Sequence, residues 1–354
     1  GPSEILAAQV AGARPLPDSS LLDDAGFPVF TARVDALDID GITESLVQYD
    51  TELAQDIGRS EHLRMLALID STLPAGLAQA HEALTQRPAT SRLSVVWLMP
   101  SEADPALFPK LQSWLQAQYL SAFEPSRVAL TVRPALTESD VMAQIDRLVL
   151  DSDRRPNDDL TLVLAAVSTI GPRTVDAWSM RQSLFSAEHQ NGQIPGECGV
   201  CLLFGSTDNT DTSAQLTRVS AAERDKSVDA AGRVSGALIE QLITGLLTVH
   251  DIAPADIRAV ISDADHRQSR TSELLDALGE SFSELDPIAD CPRIGAACGS
   301  SAPFGALLAL ACAHAKSLSL EQPVICVSQQ HPKARAVVLL RPTPLPAEGM
   351  SSAA

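Results

Sequence analysis

Aromatic and basic side chains are scarce in this sequence. Phe, Trp and Tyr make up 4% of the 354 residues, so we expect a core built from Leu, Val, Ile and Ala. The 26 basic side chains are outnumbered by 45 acidic ones, which leaves a formal net charge of −19. Nucleic-acid binders present a basic face, and anionic membranes attract basic segments. The charge therefore argues against both kinds of partner.

The sequence also lacks a long apolar run. No stretch reaches the roughly 18 consecutive apolar residues that a membrane-spanning helix needs, and the richest one, 302–313, is interrupted by Pro303 and Gly305. The chain starts without the basic-then-apolar pattern of a secretory signal. Its cysteines lie in small or apolar surroundings, as is usual for free thiols in a reducing compartment. We therefore expect a cytoplasmic protein.

Motifs for metals and cofactors are absent as well. Cys198 and Cys201 form a C-x-x-C pair, but residues three apart on a strand point to opposite faces. No second pair accompanies it, as a zinc site would require. There is no Gly-rich phosphate loop after a strand, no H-E-x-x-H and no G-x-S-x-G. We therefore expect neither a bound metal nor a cofactor.

Predicted helices and strands alternate along the chain. Residues 1–26 are rich in Pro, Ala and Asp and predict a flexible N-terminal arm. Thr137 opens the sequence T-E-S-D, which resembles a helix capping box with Asp in the place of Glu. The predicted helices are 42–57, 61–84, 106–123, 137–150, 232–249, 269–278 and 302–318. The predicted strands are 29–36, 93–99, 128–133, 160–168, 198–205, 259–262, 324–327 and 334–340.

The two halves of the chain end alike. A helix, an apolar strand and a strand rich in small residues occur at 137–150, 160–168 and 198–205. The same order returns roughly 165 residues later at 302–318, 324–327 and 334–340, which indicates a duplicated α/β unit. We therefore divide the chain into halves at 27–206 and 207–342, followed by a disordered tail at 343–354.

Three segments resemble a known family. Residues 191–204 read NGQIPGECGVCLLF and resemble the end of the first half in β-ketoacyl synthases and other thiolase-fold condensing enzymes. IGAACGSSAPFGALLAL at 294–310 is similar to the Gly-rich loop and helix of their second half, and RAVVLLRP at 335–342 to their last strand. The resemblance covers about 30–342. It implies a thiolase-like α/β fold: two duplicated halves in an α-β-α-β-α layered arrangement, with helices 137–150 and 302–318 at the centre.

The catalytic residues of that family do not carry over. Condensing enzymes place a nucleophilic Cys where the first half's last helix begins, and the matching stretch here, 133–140, reads RPALTESD. Thr137 and Ser139 supply hydroxyl groups there but no thiol. The first catalytic His falls near Asp263, and the second falls near Ala296. We therefore predict a chain that is not an enzyme.

One catalytic alternative stays open. Cys298 precedes G-S-S and the helix at 302–318, so by the duplication it is equivalent to the missing nucleophile. The helix terminus could activate its thiol, with Asp263 or His266 as orienting group or base. The other interpretation is a small residue in a tight loop. Glu197 of the P-G-E turn and His314 are interpreted as structural residues.

Thiolase-like chains without catalytic residues commonly serve as dimer partners or scaffolds. The resemblance implies two precedents: an inactive partner subunit that shapes the acyl tunnel of a condensing enzyme, and the accessory chaperones encoded beside type VI secretion effectors. The acidic charge favours the second, because a basic effector would be complementary. We predict a non-catalytic scaffold or chaperone that forms a homodimer, or a heterodimer with another thiolase-like chain. Its dimer strand would lie at 128–133 or 160–168.

Overall fold

The computed structural model describes residues 1–152, 159–205 and 213–343. The helices are α1 Pro2–Val10, α2 Ile39–Tyr49, α3 Thr51–Ser60, α4 Leu63–Thr85, α5 Phe108–Tyr119, α6 Glu138–Ser152, α7 Pro172–Met180, α8 Ala237–Val249, α9 Gln268–Leu278, α10 Gly295–Cys298 and α11 Gly305–Leu320. The strands are β1 Leu16–Leu22, β2 Pro28–Thr31, β3 Leu93–Pro100, β4 Val128–Ala135, β5 Leu160–Ser168, β6 Glu197–Phe204, β7 Ala214–Leu216, β8 Ser220–Glu223, β9 Ala259–Ser262, β10 Val324–Ser328 and β11 Ala334–Pro342.

Two mixed sheets repeat one strand pattern. The first has the order β4-β3-β5-β6, in which β3 is parallel to β4 and β5, and β6 is antiparallel to β5. The second has the order β7-β11-β10-β9, in which β9 and β10 are parallel and β11 is antiparallel to both β10 and β7. The triplets β3-β5-β6 and β9-β10-β11 therefore correspond, which confirms the predicted duplication.

Helices α6 and α11 lie between the two sheets. Their apolar side chains share one core with strand residues from both sheets; its members include Val141, Ile145, Val163, Val200, Ile261, Leu307, Cys312 and Val338. A second core packs the outer face of the first sheet against α2 to α5. A third packs the outer face of the second sheet against α8 and α9. The predicted α-β-α-β-α layering with two central helices is confirmed.

The predicted flexible arm over 1–26 is wrong for most of its length. Helix α1 packs on α11, and its Leu6 enters the central core. Strand β1 pairs antiparallel with β2, and this hairpin covers a small core formed with the segment after β5. The sequence LPDSSLL of β1 shows no apolar alternation, so neither its pairing nor the burial of Leu21 was readable. Of the predicted tail, 344–354 lies outside the described residues.

Local polar groups set several element bounds. The predicted helix 42–57 is two helices, because Asp50 adopts an extended conformation and accepts the backbone N–H groups of Glu52 and Leu53 at 2.9 and 3.1 Å. The predicted capping box is confirmed: Thr137 Oγ1 accepts the N–H of Asp140 at 3.1 Å, and Asp140 Oδ2 accepts the N–H of Thr137 at 3.0 Å. Both caps satisfy N–H groups that a helix start leaves without an intrahelical partner.

One of the two predicted dimer strands lies inside its sheet. Strand β5 pairs with β3 on one side and β6 on the other, so 160–168 is not an edge. Strand β4 lies at one end of the first sheet, and four of its residues are exposed: Ala129, Thr131, Arg133 and Pro134. The edge prediction therefore holds for 128–133 alone. None of the described helices is both long and apolar enough to cross a membrane.

Candidate functional site

The starts of both central helices meet the ends of two strands of the second sheet. Glu138 is the first residue of α6 and is 7% exposed. Its charge helps to raise the pKa of Asp263, the residue that follows β9. At the start of α11, a Cβ added to Gly305 would lie 3.2 Å from both Gln330 Oε1 and Ser301 Oγ, and 3.6 Å from Asp263 Cβ. This convergence, which we call the central site, lies where the resemblance places condensing chemistry.

Three consecutive residues at the end of β10 donate hydrogen bonds to Asp263 at the central site. Its Oδ1 accepts the backbone N–H groups of Gln329 and Gln330 at 2.7 and 3.1 Å, and its Oδ2 accepts the hydroxyl of Ser328 at 2.9 Å. The residue is 1% exposed. Burial, as the dominant cause, raises the pKa of Asp263 to about 6. Asp263 is therefore a hydrogen-bond acceptor that fixes the segment after β10. None of the three partners named here is a thiol.

Sequence reasoning missed Glu138. In RPALTESD the candidate nucleophiles were the hydroxyl groups of Thr137 and Ser139. The structure uses Thr137 Oγ1 as the cap of α6 and leaves Ser139 exposed. The buried side chain is the carboxylate between them, placed at a helix N-terminus that favours negative charge. Its signal in the sequence was the first-turn position after the capping residue, which carries no information about burial.

His266 belongs to another neighbourhood. Its imidazole makes an edge-to-face contact with Phe185 at 5.1 Å between ring centroids, and it faces the backbone carbonyl groups of Gln190 and Gly192. Burial lowers the pKa of His266, so the ring is neutral near pH 7. Through these contacts His266 packs against the segment between β5 and β6.

Cys298 is the last residue of the short helix α10. Gly299, with a φ of +67°, turns the chain away before α11 starts at Gly305, so the thiol is not at the N-terminus of the long helix. Burial raises the pKa of Cys298 to about 11. Its thiol neighbours Cys198 and Cys312 have pKa values raised to about 12 by burial. The environment therefore favours the protonated thiol.

Other residues singled out by sequence have structural partners. The side chain of Glu197 is fully buried and accepts the Ser168 hydroxyl at 2.7 Å, the Val34 N–H at 3.0 Å and Arg64 Nη2 at 2.8 Å. Through these hydrogen bonds the P-G-E turn is connected to Val34 after β2, to Arg64 of α4 and to Ser168 at the end of β5. His314 is half-buried on α11, and burial lowers its pKa.

The cysteine pair has no ligand geometry. Cys198 points into the central core, whereas Cys201 packs against the outer core beside Gly76 of α4, as expected for opposite faces of β6. Within 1–152, 159–205 and 213–343, no group of three or more His, Cys, Asp or Glu side chains is arranged to hold a metal ion.

Comparison with solved structures identifies the class of fold. The chain superposes on "The ishigamide ketosynthase/chain length factor" with a TM-score of 0.54 at 16% identity, covering 97% of this chain and 96% of that one. It is similar to the acyltransferase ChlB3, with a TM-score of 0.51, 13% identity and 76% and 82% of the two chains covered. It is also similar to the ketosynthase in the AntDE:AntF complex with its acyl-carrier protein, with a TM-score of 0.52 and 12% identity, covering 72% of this chain and 79% of that one.

These similarities define a thiolase-like fold of the ketosynthase kind. No protein-family model matches the sequence, and no curated protein matches it either. At 12–16% identity the solved structures establish the fold alone.

Proposed function

We propose that this chain is a non-catalytic thiolase-like protein that works by association, as a dimeric scaffold or accessory chaperone. One observation carries the proposal: at the N-terminus of α6, where the resemblance places a nucleophilic thiol, the buried side chain is Glu138, and its charge acts on the carboxyl group of Asp263. Two carboxyl groups without a thiol have no means of forming the thioester on which condensation depends.

The alternative acyltransferase would have to use Cys298. A nucleophilic cysteine needs a lowered pKa, which a helix N-terminus or a neighbouring cation supplies. Cys298 instead ends α10 and has a pKa raised to about 11. His266 is committed to the segment containing Phe185 and Gly192, and Asp263 to the loop after β10. Three different sets of contacts hold these residues, which supports the non-catalytic role.

The exposed end of the first sheet supports association. An unpaired edge strand exposes backbone donors and acceptors that a second chain can complete. Strand β4 is eight residues long and exposes Ala129, Thr131 and Arg133. Pairing of β4 across a twofold axis, with a buried area on the order of 1,600 Å², would give a homodimer or a heterodimer with another thiolase-like chain.

The net charge favours a chaperone role among scaffold functions. At −19 the protein attracts basic partners, and a basic effector of a type VI secretion system is the client that we propose. An inactive partner subunit of a condensing enzyme is the alternative, and it would pair with a ketosynthase.

Two experiments test the proposal. Intact mass after incubation with acetyl- and malonyl-coenzyme A should show no acyl adduct. A stable adduct abolished by Cys298→Ala would instead establish the acyltransferase. Light scattering should give a dimer that Thr131→Glu with Ala129→Glu converts to monomer, whereas Gln116→Glu with Gln118→Glu on α5 should leave it intact. A monomeric wild type that also captures no chain from its own operon at low salt would contradict the proposal.

A further inference from the structure

An open cleft of about 950 Å³ is lined by three segments of the chain. One wall is the segment 182–193 between β5 and β6, the opposite wall is the segment 228–234 before α8, and the floor is one face of α9. We propose that this cleft binds an extended peptide segment by its backbone and prefers segments that carry Lys or Arg. The inference rests on the proposed function, since the segment would belong to the client.

The floor of the cleft is rigid because its charges are paired. Arg270 is fully buried and its Nη2 donates to Asp229 Oδ2 at 2.9 Å, while the hydroxyl of Ser269 donates to Asp229 Oδ1, also at 2.9 Å. Arg267 Nη2 lies 2.7 Å from Asp265 Oδ2. These ion pairs compensate the charges of the floor, so a charge preference of the cleft has to come from its rim and from the net charge of the protein.

The 182–193 wall is held in place from both sides. The ring of Phe185 contacts His266 at 5.1 Å and Phe30 of β2 at 5.5 Å between centroids, with both contacts edge-to-face. Backbone bonds close the segment on itself: the Phe185 N–H donates to the Gln193 carbonyl at 2.9 Å. The wall is thus prepared before a ligand arrives, which reduces the ordering cost of binding.

The lining has the chemistry of a backbone-binding surface. Its exposed side chains include the amides of Gln190, Asn191 and Gln268, each of which offers both donors and an acceptor. An extended peptide likewise offers one N–H and one carbonyl per residue. Sites for apolar small molecules are lined mostly by apolar and aromatic side chains. Among the described residues that line this cleft there is no Phe, Tyr or Trp, which disfavours an acyl chain and stacking of a sugar ring.

The charge preference comes from the rim. Glu188 is exposed beside the cleft mouth, and the protein as a whole carries −19. Arg233, also on the rim, has a side chain that is 89% exposed, and its Nη2 lies 3.5 Å from Asp276 Oδ1. The carboxylate of Asp276 therefore compensates the positive charge of Arg233. A peptide with spaced Lys residues therefore gains attraction from the rim and from the field of the whole protein.

The test measures binding of a defined probe to the full chain. The probe is a fluorescein-labelled 12-residue peptide of Gly, Ser and Thr with three spaced Lys, followed by fluorescence anisotropy. We expect saturable binding that weakens at least tenfold when Glu replaces the Lys residues. The triple variant Gln190→Leu, Asn191→Leu, Gln268→Leu should weaken it tenfold or more. The pair Gln116→Leu and Gln118→Leu, on exposed positions of α5, should leave it unchanged.

Three results would overturn the inference: no saturable binding of the Lys peptide, equal binding by the triple variant, or displacement of the peptide by maltohexaose or pantetheine at comparable concentration. Client capture from the operon separates this inference from the proposed function. If the wild type and the triple variant capture a client equally, the cleft is not the client site and the chaperone role stands. If neither captures one, the proposed function itself fails.

Discussion

Asp263 Oδ1 accepts the backbone N–H of Gln329 at 2.7 Å. This hydrogen bond joins the residue after β9 to the residue after β10, so the carboxyl ends of two parallel strands are fixed to each other. In condensing enzymes, the resemblance places a catalytic imidazole near this position. In this chain the buried carboxyl group of Asp263 accepts backbone N–H groups instead. Its role is therefore to hold the structure of the second half.

The first prediction concerns the pH dependence of stability. The pKa of Asp263 is raised from 3.8 to about 6 in the folded chain, so the folded state holds this proton more tightly than the unfolded state. The resulting stability is fully present below pH 3.8 and is lost as the pH rises through about 6. The total is on the order of 3 kcal/mol, of which roughly half falls between pH 5 and pH 7.5.

Asp263→Asn keeps a neutral acceptor for the Gln329 N–H and should remove this loss. Urea unfolding of the variant, compared with wild type at pH 5, 6 and 7.5, should show a difference that moves in favour of the variant by roughly 1.5 kcal/mol. Asp24→Asn, at an exposed position of the β1–β2 hairpin, controls for the change in net charge. A constant difference between Asp263→Asn and wild type across this range would contradict the prediction.

The second prediction concerns the buried ion pair of the P-G-E turn. Glu197 is fully buried and Arg64 is 20% exposed. Arg64→Met would leave the carboxylate with the Ser168 hydroxyl and the Val34 N–H alone, and an uncompensated buried charge costs about 3–5 kcal/mol. Urea unfolding at pH 7 should show a loss of this size.

The matched control is Arg59, whose pair with Asp56 at 2.8 Å is largely exposed. Arg59→Ala should cost less than about 1 kcal/mol, because water already solvates both ions. Equal losses in the free energy of unfolding for the Arg64 and Arg59 variants would contradict the prediction, because the buried pair would then stabilise the protein no more than the exposed pair.

The sequence predicted those parts of the fold that depend on local patterns. The apolar run LTLVLAAVS defines β5 with its observed bounds, and AVIS defines β9. The Thr137–Asp140 box fixes the start of α6 because its contacts span three residues. The layered order was implied by the resemblance to thiolase-fold enzymes, and it agrees with the rule that a strand apolar on both faces must be covered on both sides.

The missing parts depend on contacts between distant segments. Leu6 is buried in the central core where α1 packs on α10 and α11, some 300 residues away in the chain. His266 was interpreted as a possible base from its neighbours in the sequence, whereas its partner Phe185 is 81 positions earlier. Glu138 is 7% exposed, although the sequence around it predicts only the start of a helix. No spacing rule within one segment contains this information.

The third prediction concerns the close approach of two loops. A Cβ added at Gly196 would collide with the carbonyl oxygen of Cys298 and lie 3.0 Å from the carbonyl carbon of Gly299. Both contacts are backbone and cannot rotate away, so Gly196→Ala should destabilise the protein by about 2–3 kcal/mol. The Pro195–Ser300 bridge beside it holds the two loops together.

A glycine of α3 serves as its control. A Cβ at Gly58 would meet nothing within 4 Å, and Ala is the better helix former, so Gly58→Ala should stabilise the protein by about 0.5–1 kcal/mol. The two variants should shift the urea midpoint in opposite directions. A neutral Gly196→Ala would mean that the two loops separate without cost, which would contradict the close approach of Gly196 to Cys298 in the structure.

The last prediction concerns the reactivity of Cys298. Only the thiolate reacts with alkylating agents, and a pKa raised from 9.0 to about 11 lowers the thiolate fraction at neutral pH by about two orders of magnitude. Iodoacetamide at pH 7.5 should therefore modify Cys298 about a hundredfold more slowly than glutathione in the same solution, as followed by peptide mass spectrometry. In 8 M urea all six cysteines should react at the rate of free thiols, because unfolding removes the burial that raises the pKa. Alkylation of folded Cys298 as fast as glutathione would place a thiolate before α11, and would support the acyltransferase over the non-catalytic scaffold.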